Sequence, residues 1–92
     1  MANFTIYVPS GIIRRSFTGR TAQILDLLIE SGSKGLTAAD LPAGVRLAAF
    51  VHKLRGAGVP IRARSEPNSG TFGGFHARYA LAAVVERAEG RQ

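Results

Sequence analysis

The stretch from Gly35 to Leu81 constrains the fold of this chain most, because its hydrophobic period changes within it. Thr37 predicts the start of a short helix, which Pro42-Ala43-Gly44 interrupts. A longer helix with an apolar stripe is then expected over Val45–Arg55 and ends at the glycines of Gly56-Ala57-Gly58. Two helices separated by a tight turn are therefore predicted in the first half of the stretch.

The second half of this stretch alternates between apolar and polar residues, which is the period of β-strands. Alternating runs cover residues 61–66 and 75–81, and the segment between them, Glu66 to Gly74, is rich in turn-forming residues. We expect a hairpin over residues 59–81, which we call the wing. Helix, turn, helix and hairpin is the element order of a winged helix-turn-helix.

The N-terminal third predicts a second hairpin and a helix. Residues 3–8 alternate, Pro9-Ser10-Gly11 is a turn signal, and residues 12–17 read as the returning strand. Thr18 is placed to cap a helix that continues to about Ser31 with a wide apolar stripe. This stripe indicates a core helix, and a contact with a second subunit remains open.

The chain length of 92 residues predicts one domain. We predict an α+β fold with an N-terminal hairpin over residues 1–17, a three-helix core over 18–58 and the wing over 59–81. Residues 82–92 are expected to form a short C-terminal helix or tail, docked on the core or on a second subunit through Val84 and Val85.

The charge of the chain points to an anionic partner. Twelve basic residues against six acidic ones give a formal net charge of +6, and ten of the twelve are arginines. The isoelectric point near 11.2 is in the range of nucleic-acid-binding domains. The alternative explanations are that the charge serves solubility alone, or that the base composition of the genome favours arginine codons.

Several classes of protein are disfavoured by what the chain lacks. It has no cysteine, which excludes a disulfide framework and a cysteine-based zinc site. The N-terminal residues have no basic segment followed by a long apolar run, so we predict no signal peptide. No run approaches eighteen apolar residues, and a cytoplasmic protein without a membrane span is expected.

The helix at 45–55 is the candidate recognition helix. Its outer face is predicted to carry Val45, Ala49, His52, Lys53 and Gly56, with arginines at its edges. Small residues let a helix backbone approach DNA closely, and basic residues at the edges meet phosphates. An ordinary surface helix is the alternative interpretation, and His52 is more simply a solvated side chain than a base contact.

The wing is expected to carry a basic ribbon, because Arg62 and Arg64 on one strand face the same side as His76 and Arg78 on the other. Like charges this close repel each other, so an anionic partner explains them better than stability does; pairing with Glu66 or with helix carboxylates is the alternative. Together with the recognition helix and the Thr37 helix start, the predicted DNA-binding residues are Thr37, Arg46, Ala49, His52, Lys53, Arg62, Arg64, His76 and Arg78.

Phe72 in the wing loop is an unusual residue for a turn. We expect it to fold back on the core or, alternatively, to contact a partner or a nucleic acid. The two histidines, His52 and His76, lack accompanying carboxylates at metal-ligand spacing, so no metal site is predicted. The glycine-rich Gly70-Thr71-Phe72-Gly73-Gly74 lacks the strand, helix and lysine of a phosphate-binding loop, and we predict neither an enzyme nor a cofactor.

Several segments resemble a known family. These are Phe17-Thr18-Gly19-Arg20, the Leu54–Ile61 segment LRGAGVPI and the Gly73–Tyr79 segment ending in HARY. Nearly the whole chain resembles small bacterial and phage proteins of the winged helix domain family. The resemblance implies a winged-helix fold and DNA binding, and it assigns no residue a role.

Two functions follow as competing hypotheses. The first is a non-catalytic DNA-binding regulator of prophage or mobile-element type, which binds double-stranded DNA through the helix at 45–55 and the wing. The second is a protein-interaction module, an adaptor or anti-activator, favoured by the few base-reading side chains on that helix. A homodimer and a separate protein partner are both left open.

Overall fold

The N-terminal hairpin begins the fold, as predicted. A computed structural model describes residues 1–88 and places β1 at Ala2–Val8 and β2 at Gly11–Phe17. The strands pair antiparallel from Ala2 opposite Phe17 to Val8 opposite Gly11. Phe4 and Ile6 on one face of β1 are fully buried, whereas Asn3, Thr5 and Tyr7 face outward. This is the alternation expected of a half-buried strand.

The C-terminal segment, predicted as a short helix or tail over 82–92, contains a strand and no helix within residues 82–88. β5 at Val84–Arg87 pairs antiparallel with the free edge of β1, which gives the sheet order β2-β1-β5. The consecutive β-branched residues Val84 and Val85 favour a strand, and pairing buries Val85 against the core. Residues 89–92 of the predicted helix or tail lie outside the described residues.

Two α-helices pack against each other and against this sheet. α1 spans Gly19–Ser31 and α2 spans Leu47–Gly56. α1 buries Leu25 and Leu28, and α2 buries Val51 and Leu54, all at helical spacing. Thr18 precedes α1 in extended conformation, but its side chain makes none of the predicted capping hydrogen bonds.

The middle helix of the predicted three-helix core is a single 3₁₀ turn over Ala38–Asp40, so the described residues contain two α-helices. Leu41 is extended, with φ −117° and ψ 157°. The ring of Pro42 disfavours helical backbone in the residue before it, and this leaves too few residues for an α-helical turn. Asp40 accepts a hydrogen bond from the backbone N–H of Thr37 at 2.8 Å, and this contact stabilises the short turn.

The wing has the predicted hairpin form. β3 at Ile61–Pro67 and β4 at Phe75–Leu81 pair antiparallel, from Ile61 opposite Leu81 to Pro67 opposite Phe75. The segment before the 3₁₀ turn joins the wing, because Leu36 and Tyr79 exchange two backbone hydrogen bonds of 2.8 Å. These two bonds hold the base of the wing on the helical part of the fold.

The core brings together residues from every part of the described chain. Its largest fully buried side chains are Phe4, Ile6, Leu25, Leu28, Leu54, Val51 and Val59. No helix within residues 1–88 is long and apolar enough to cross a membrane.

Candidate functional site

The exposed side of α2 is small and basic, as its periodicity predicts. Ala49, His52, Lys53 and Gly56 are exposed, and the opposite side of the helix is buried in the core. Val45 differs from the prediction: it precedes the helix and packs half-buried against the core, so it is not part of the outer face. The small side chains therefore leave the helix backbone accessible on the outer face, which carries one histidine and one lysine.

The two ends of α2 are held by backbone contacts. The carbonyl of Arg46, the residue before the helix, accepts hydrogen bonds from the N–H groups of Ala49 and Phe50. At the other end, the Arg55 guanidinium donates two hydrogen bonds, of 3.1 and 2.8 Å, to the carbonyl oxygen of Ile61. Arg55 thus fixes the helix to β3, whereas the Arg46 side chain is exposed beside the helix start.

Thr37 is not brought to this surface. It is 5% exposed, and its backbone N–H already donates to the Asp40 carboxylate. The carboxylate occupies the position in which a phosphate would have to accept that hydrogen bond. The turn at Thr37 therefore has fewer free hydrogen-bond donors for a phosphate than the sequence predicts.

The wing places Arg62, Arg64, His76 and Arg78 on one face, because directly opposed residues of a hairpin share a face. Glu66 lies on the same face and contacts three of the four. Its carboxylate is 3.0 Å from Arg64, 3.1 Å from His76 and 2.8 Å from Arg78. Among residues 1–88, no carboxylate lies within ion-pair distance of Arg62.

Glu66 is the residue of the ribbon that most changes its electrostatics. Hydrogen bonds from Arg78, then Arg64 and His76, stabilise the charged carboxylate and lower the pKa of Glu66 to about 2. The ribbon thus carries three arginines and one constantly ionised carboxylate at neutral pH. The Glu66 carboxylate of the protein itself therefore offsets the repulsion expected among the cations of the ribbon.

His76 also connects the ribbon to the wing loop. Its Nδ1 lies 2.6 Å from the Asn68 side-chain oxygen, and its Nε2 lies 3.1 Å from Glu66. Asn68 in turn donates from its side-chain nitrogen to the carbonyl of Gly73. His76 thus links Glu66 in the ribbon to Asn68 in the wing loop.

The wing loop presents its aromatic residue to solvent. Phe72 is 100% exposed and Phe75 is 72% exposed, so the prediction that Phe72 folds back on the core is wrong. The loop is closed by a 2.8 Å hydrogen bond from the N–H of Asn68 to the carbonyl of Gly74. The ring of Phe72 is therefore not covered by any other part of the described chain.

Acidification is expected to remove the stabilising effect of Glu66. Because its folded-state pKa lies below the ordinary value, the carboxylate stabilises the fold above about pH 4.5, and this stabilisation disappears as pH falls to about 2. Urea unfolding of the wild type and of Glu66→Gln should differ at pH 7 and converge near pH 2. An NMR titration in which the Glu66 carboxyl titrates near 4.5 would contradict the contacts that we describe.

Across residues 1–88, no group of three histidine, cysteine or acidic side chains is close enough to hold a metal ion. His52 and His76 lie on different elements, α2 and β4. The candidate site is thus an exposed surface of small, basic and aromatic side chains.

Comparison with known proteins identifies the family of the chain. A family model described as a winged helix domain matches residues 14–91. No curated protein and no solved structure gives a significant match. The match takes in both helices, the wing and β5, and it begins after β1.

Proposed function

The chain belongs to the winged helix domain family, and from this premise we propose that it binds double-stranded DNA as a small transcriptional regulator of prophage or mobile-element type. The observation that carries the proposal is the set of exposed cations on α2 and the wing that have no carboxylate partner within residues 1–88. These are Arg46 just before α2, Lys53 on α2 and Arg62 on the wing. Arg55 of α2 also lacks a carboxylate partner, but its guanidinium is engaged by the Ile61 carbonyl. Free cations are the groups that release counterions when they meet phosphates.

In this proposal α2 enters the major groove. Ala49 and Gly56 let its backbone approach the base edges, and Lys53 and His52 supply the polar contacts of the exposed face. Arg46 lies at the start of the helix, where it meets a flanking phosphate or a base edge. Few of these side chains read bases, so backbone contacts contribute most of the affinity.

The wing supplies the second set of contacts. Arg62 reaches the adjacent DNA backbone freely, whereas Arg64 and Arg78 share the carboxylate of Glu66. With three arginines and one glutamate, the ribbon has a net charge of +2 when His76 is neutral. Contact with about five phosphates over the whole surface would give a slope of roughly −4.5 for log affinity against log salt.

Removing Arg62 is expected to weaken DNA binding and to flatten its salt dependence. In fluorescence anisotropy with a labelled duplex, Arg62→Ala and Lys53→Ala should each reduce the salt slope by about 1. Arg14→Ala is the matched control, because Arg14 is also an exposed arginine without a carboxylate partner in the described chain but lies on β2. The double variant Arg62→Ala with Arg64→Ala should lose more affinity than either single variant.

Two outcomes would overturn DNA binding. The first is the absence of binding by the wild type at low salt. The second is an equal loss of affinity in Arg62→Ala and Arg14→Ala, because binding would then follow net charge and not this surface.

A protein-interaction module is the second candidate function, and the wing tip favours it. Phe72 and Phe75 expose two aromatic rings that lack polar atoms, and such rings are typical anchors of protein interfaces. Recovery of one protein partner from nuclease-treated extract, lost with Phe72→Ser, would favour an adaptor or anti-activator. A partner whose recovery needs nucleic acid would favour the DNA-binding proposal.

A further inference from the structure

The outer face of the β2-β1-β5 sheet carries two rows of residues that cross all three strands. The pairing registers place Ile12 and Val84 on either side of Tyr7, and Arg14 and Glu86 on either side of Thr5. The first row is apolar, and the second has a cation at one edge and an anion at the other. We call these six residues the sheet face: Thr5, Tyr7, Ile12, Arg14, Val84 and Glu86.

The apolar row of the sheet face is open to solvent. Ile12 is 56% exposed, Tyr7 is 41% exposed and Val84 is 63% exposed. Phe4, Ile6 and Val85 on the opposite face of these strands are buried in the core, so the sheet face is the side that is turned to solvent. Adjacent β-branched and aromatic residues on an exposed sheet indicate an interaction surface.

We propose that the sheet face packs on the sheet face of a second copy of this chain, related by a two-fold axis parallel to β1. Such an axis exchanges the β2 side of the sheet with the β5 side. Arg14 of one copy then lies opposite Glu86 of the other, twice, and Ile12 lies opposite Val84, twice. Tyr7 meets its own counterpart at the centre, as an isologous interface requires.

The charges favour this axis over a two-fold axis that crosses the strands at Thr5. A two-fold axis across the strands at Thr5 would place Arg14 opposite Arg14 and Glu86 opposite Glu86. Like charges in contact are unfavourable, so that arrangement is disfavoured. The axis along β1 also keeps the strands of the two sheets nearly aligned, which is the common geometry of packed sheets.

The size of the sheet face sets the strength of the dimer. The full length of β1 and three strands would cover about 24 Å by 14 Å, or roughly 340 Å², and this is an upper bound because β5 pairs with only four residues of β1. Stable interfaces bury about 800 Å² per partner, so we expect a weak dimer that forms only at high protein concentration. At low micromolar concentration, where DNA titrations are made, the protein is a monomer and Arg14→Ala remains a valid control.

Charge exchange tests the proposed pairing without DNA, so its result is independent of the proposed function. Sedimentation equilibrium of the wild type up to about 1 mM should show reversible dimerisation. Arg14→Glu and Glu86→Arg should each weaken it at least tenfold, and the double variant should restore it, because each swap creates like charges that the other removes. Circular dichroism of each variant checks that it is folded.

Cross-linking tests the axis itself. The chain has no cysteine, so Tyr7→Cys introduces a single thiol at the centre of the interface. A short bismaleimide should link two Tyr7→Cys chains efficiently, whereas Ser69→Cys, an exposed position in the wing loop, should remain mostly unlinked. A wild type that stays monomeric to about 1 mM, single charge variants that dimerise like the wild type, or equal cross-linking at both positions would overturn the proposal.

Discussion

Gly35→Ala is expected to destabilise the protein by about 3 kcal/mol or more, from a backbone penalty and a steric clash. Gly35 has a φ of +75°, which L-residues with a side chain rarely adopt. A methyl group there would also overlap the backbone oxygen of Tyr79 and lie 3.0 Å from its carbonyl carbon. The obstructing atoms are backbone, so they move only if the two hydrogen bonds between Leu36 and Tyr79 are disturbed.

Gly32→Ala is the matched control for this prediction. Gly32 follows α1 with φ 56° and ψ −137°, close to the φ 75° and ψ −171° of Gly35, and a methyl group there would meet no atom within 4 Å. Gly32→Ala therefore carries only the backbone penalty, about 1–2 kcal/mol. Urea unfolding followed by circular dichroism gives both values, and equal losses would show that the wing base can shift at no cost.

The elements that the sequence predicts well are those whose patterns are local. The alternation in residues 3–8 and the helical stripe of α1 each bury one face within a short segment. The alternation in residues 61–66 predicts the strand, but Ile61 is the one residue of its apolar face that is buried. The wing loop is similarly predicted by its turn-forming residues alone. In these segments the period of the apolar residues already identifies the face that packs against the core.

β5 could not be predicted in this way because its pairing is not local. Val85 lies opposite Ile6, far away in sequence, and four residues are too few to show a period. Within AAVVER the two valines favour a strand, whereas the alanines, the glutamate and the arginine favour a helix. Local propensity therefore leaves the segment undecided, and pairing with the free edge of β1 makes it a strand.

The electrostatics of the candidate site could likewise be predicted from the sequence only in part. The sequence predicts that Arg62, Arg64, His76 and Arg78 share a face, but the extent of their pairing with Glu66 depends on side-chain geometry. The signal available in the sequence was the spacing of Glu66, which continues the alternation of Arg62 and Arg64 and so places it on their face. The register of the hairpin then sets Glu66 opposite His76. The exposure of Phe72 was not predicted, because composition does not show whether a loop residue reaches the core.

Phe4→Ala is expected to cost about 3–5 kcal/mol, because it opens a large cavity in the core. Phe4 is 1% exposed, its ring centroid lies 5.9 Å from that of Phe17, and the Arg87 guanidinium lies 5.8 Å above its ring. Arg87 also pairs with Asp26 of α1. Phe4 on β1 thus contacts both neighbouring strands, and through Arg87 it is connected to α1.

Tyr7→Ala on the opposite face of β1 provides the comparison. Tyr7 is 41% exposed and donates one hydrogen bond to Glu86 at 3.0 Å, so its loss should cost no more than about 1 kcal/mol at low protein concentration. Domains of this length are stable by roughly 5–14 kcal/mol, and Phe4→Ala alone would remove a large part of that. A small and equal effect of both variants would mean that β1, which precedes the family match, is dispensable for folding. A large loss in Phe4→Ala alone would show that the strand belongs to the same cooperative unit as the helices.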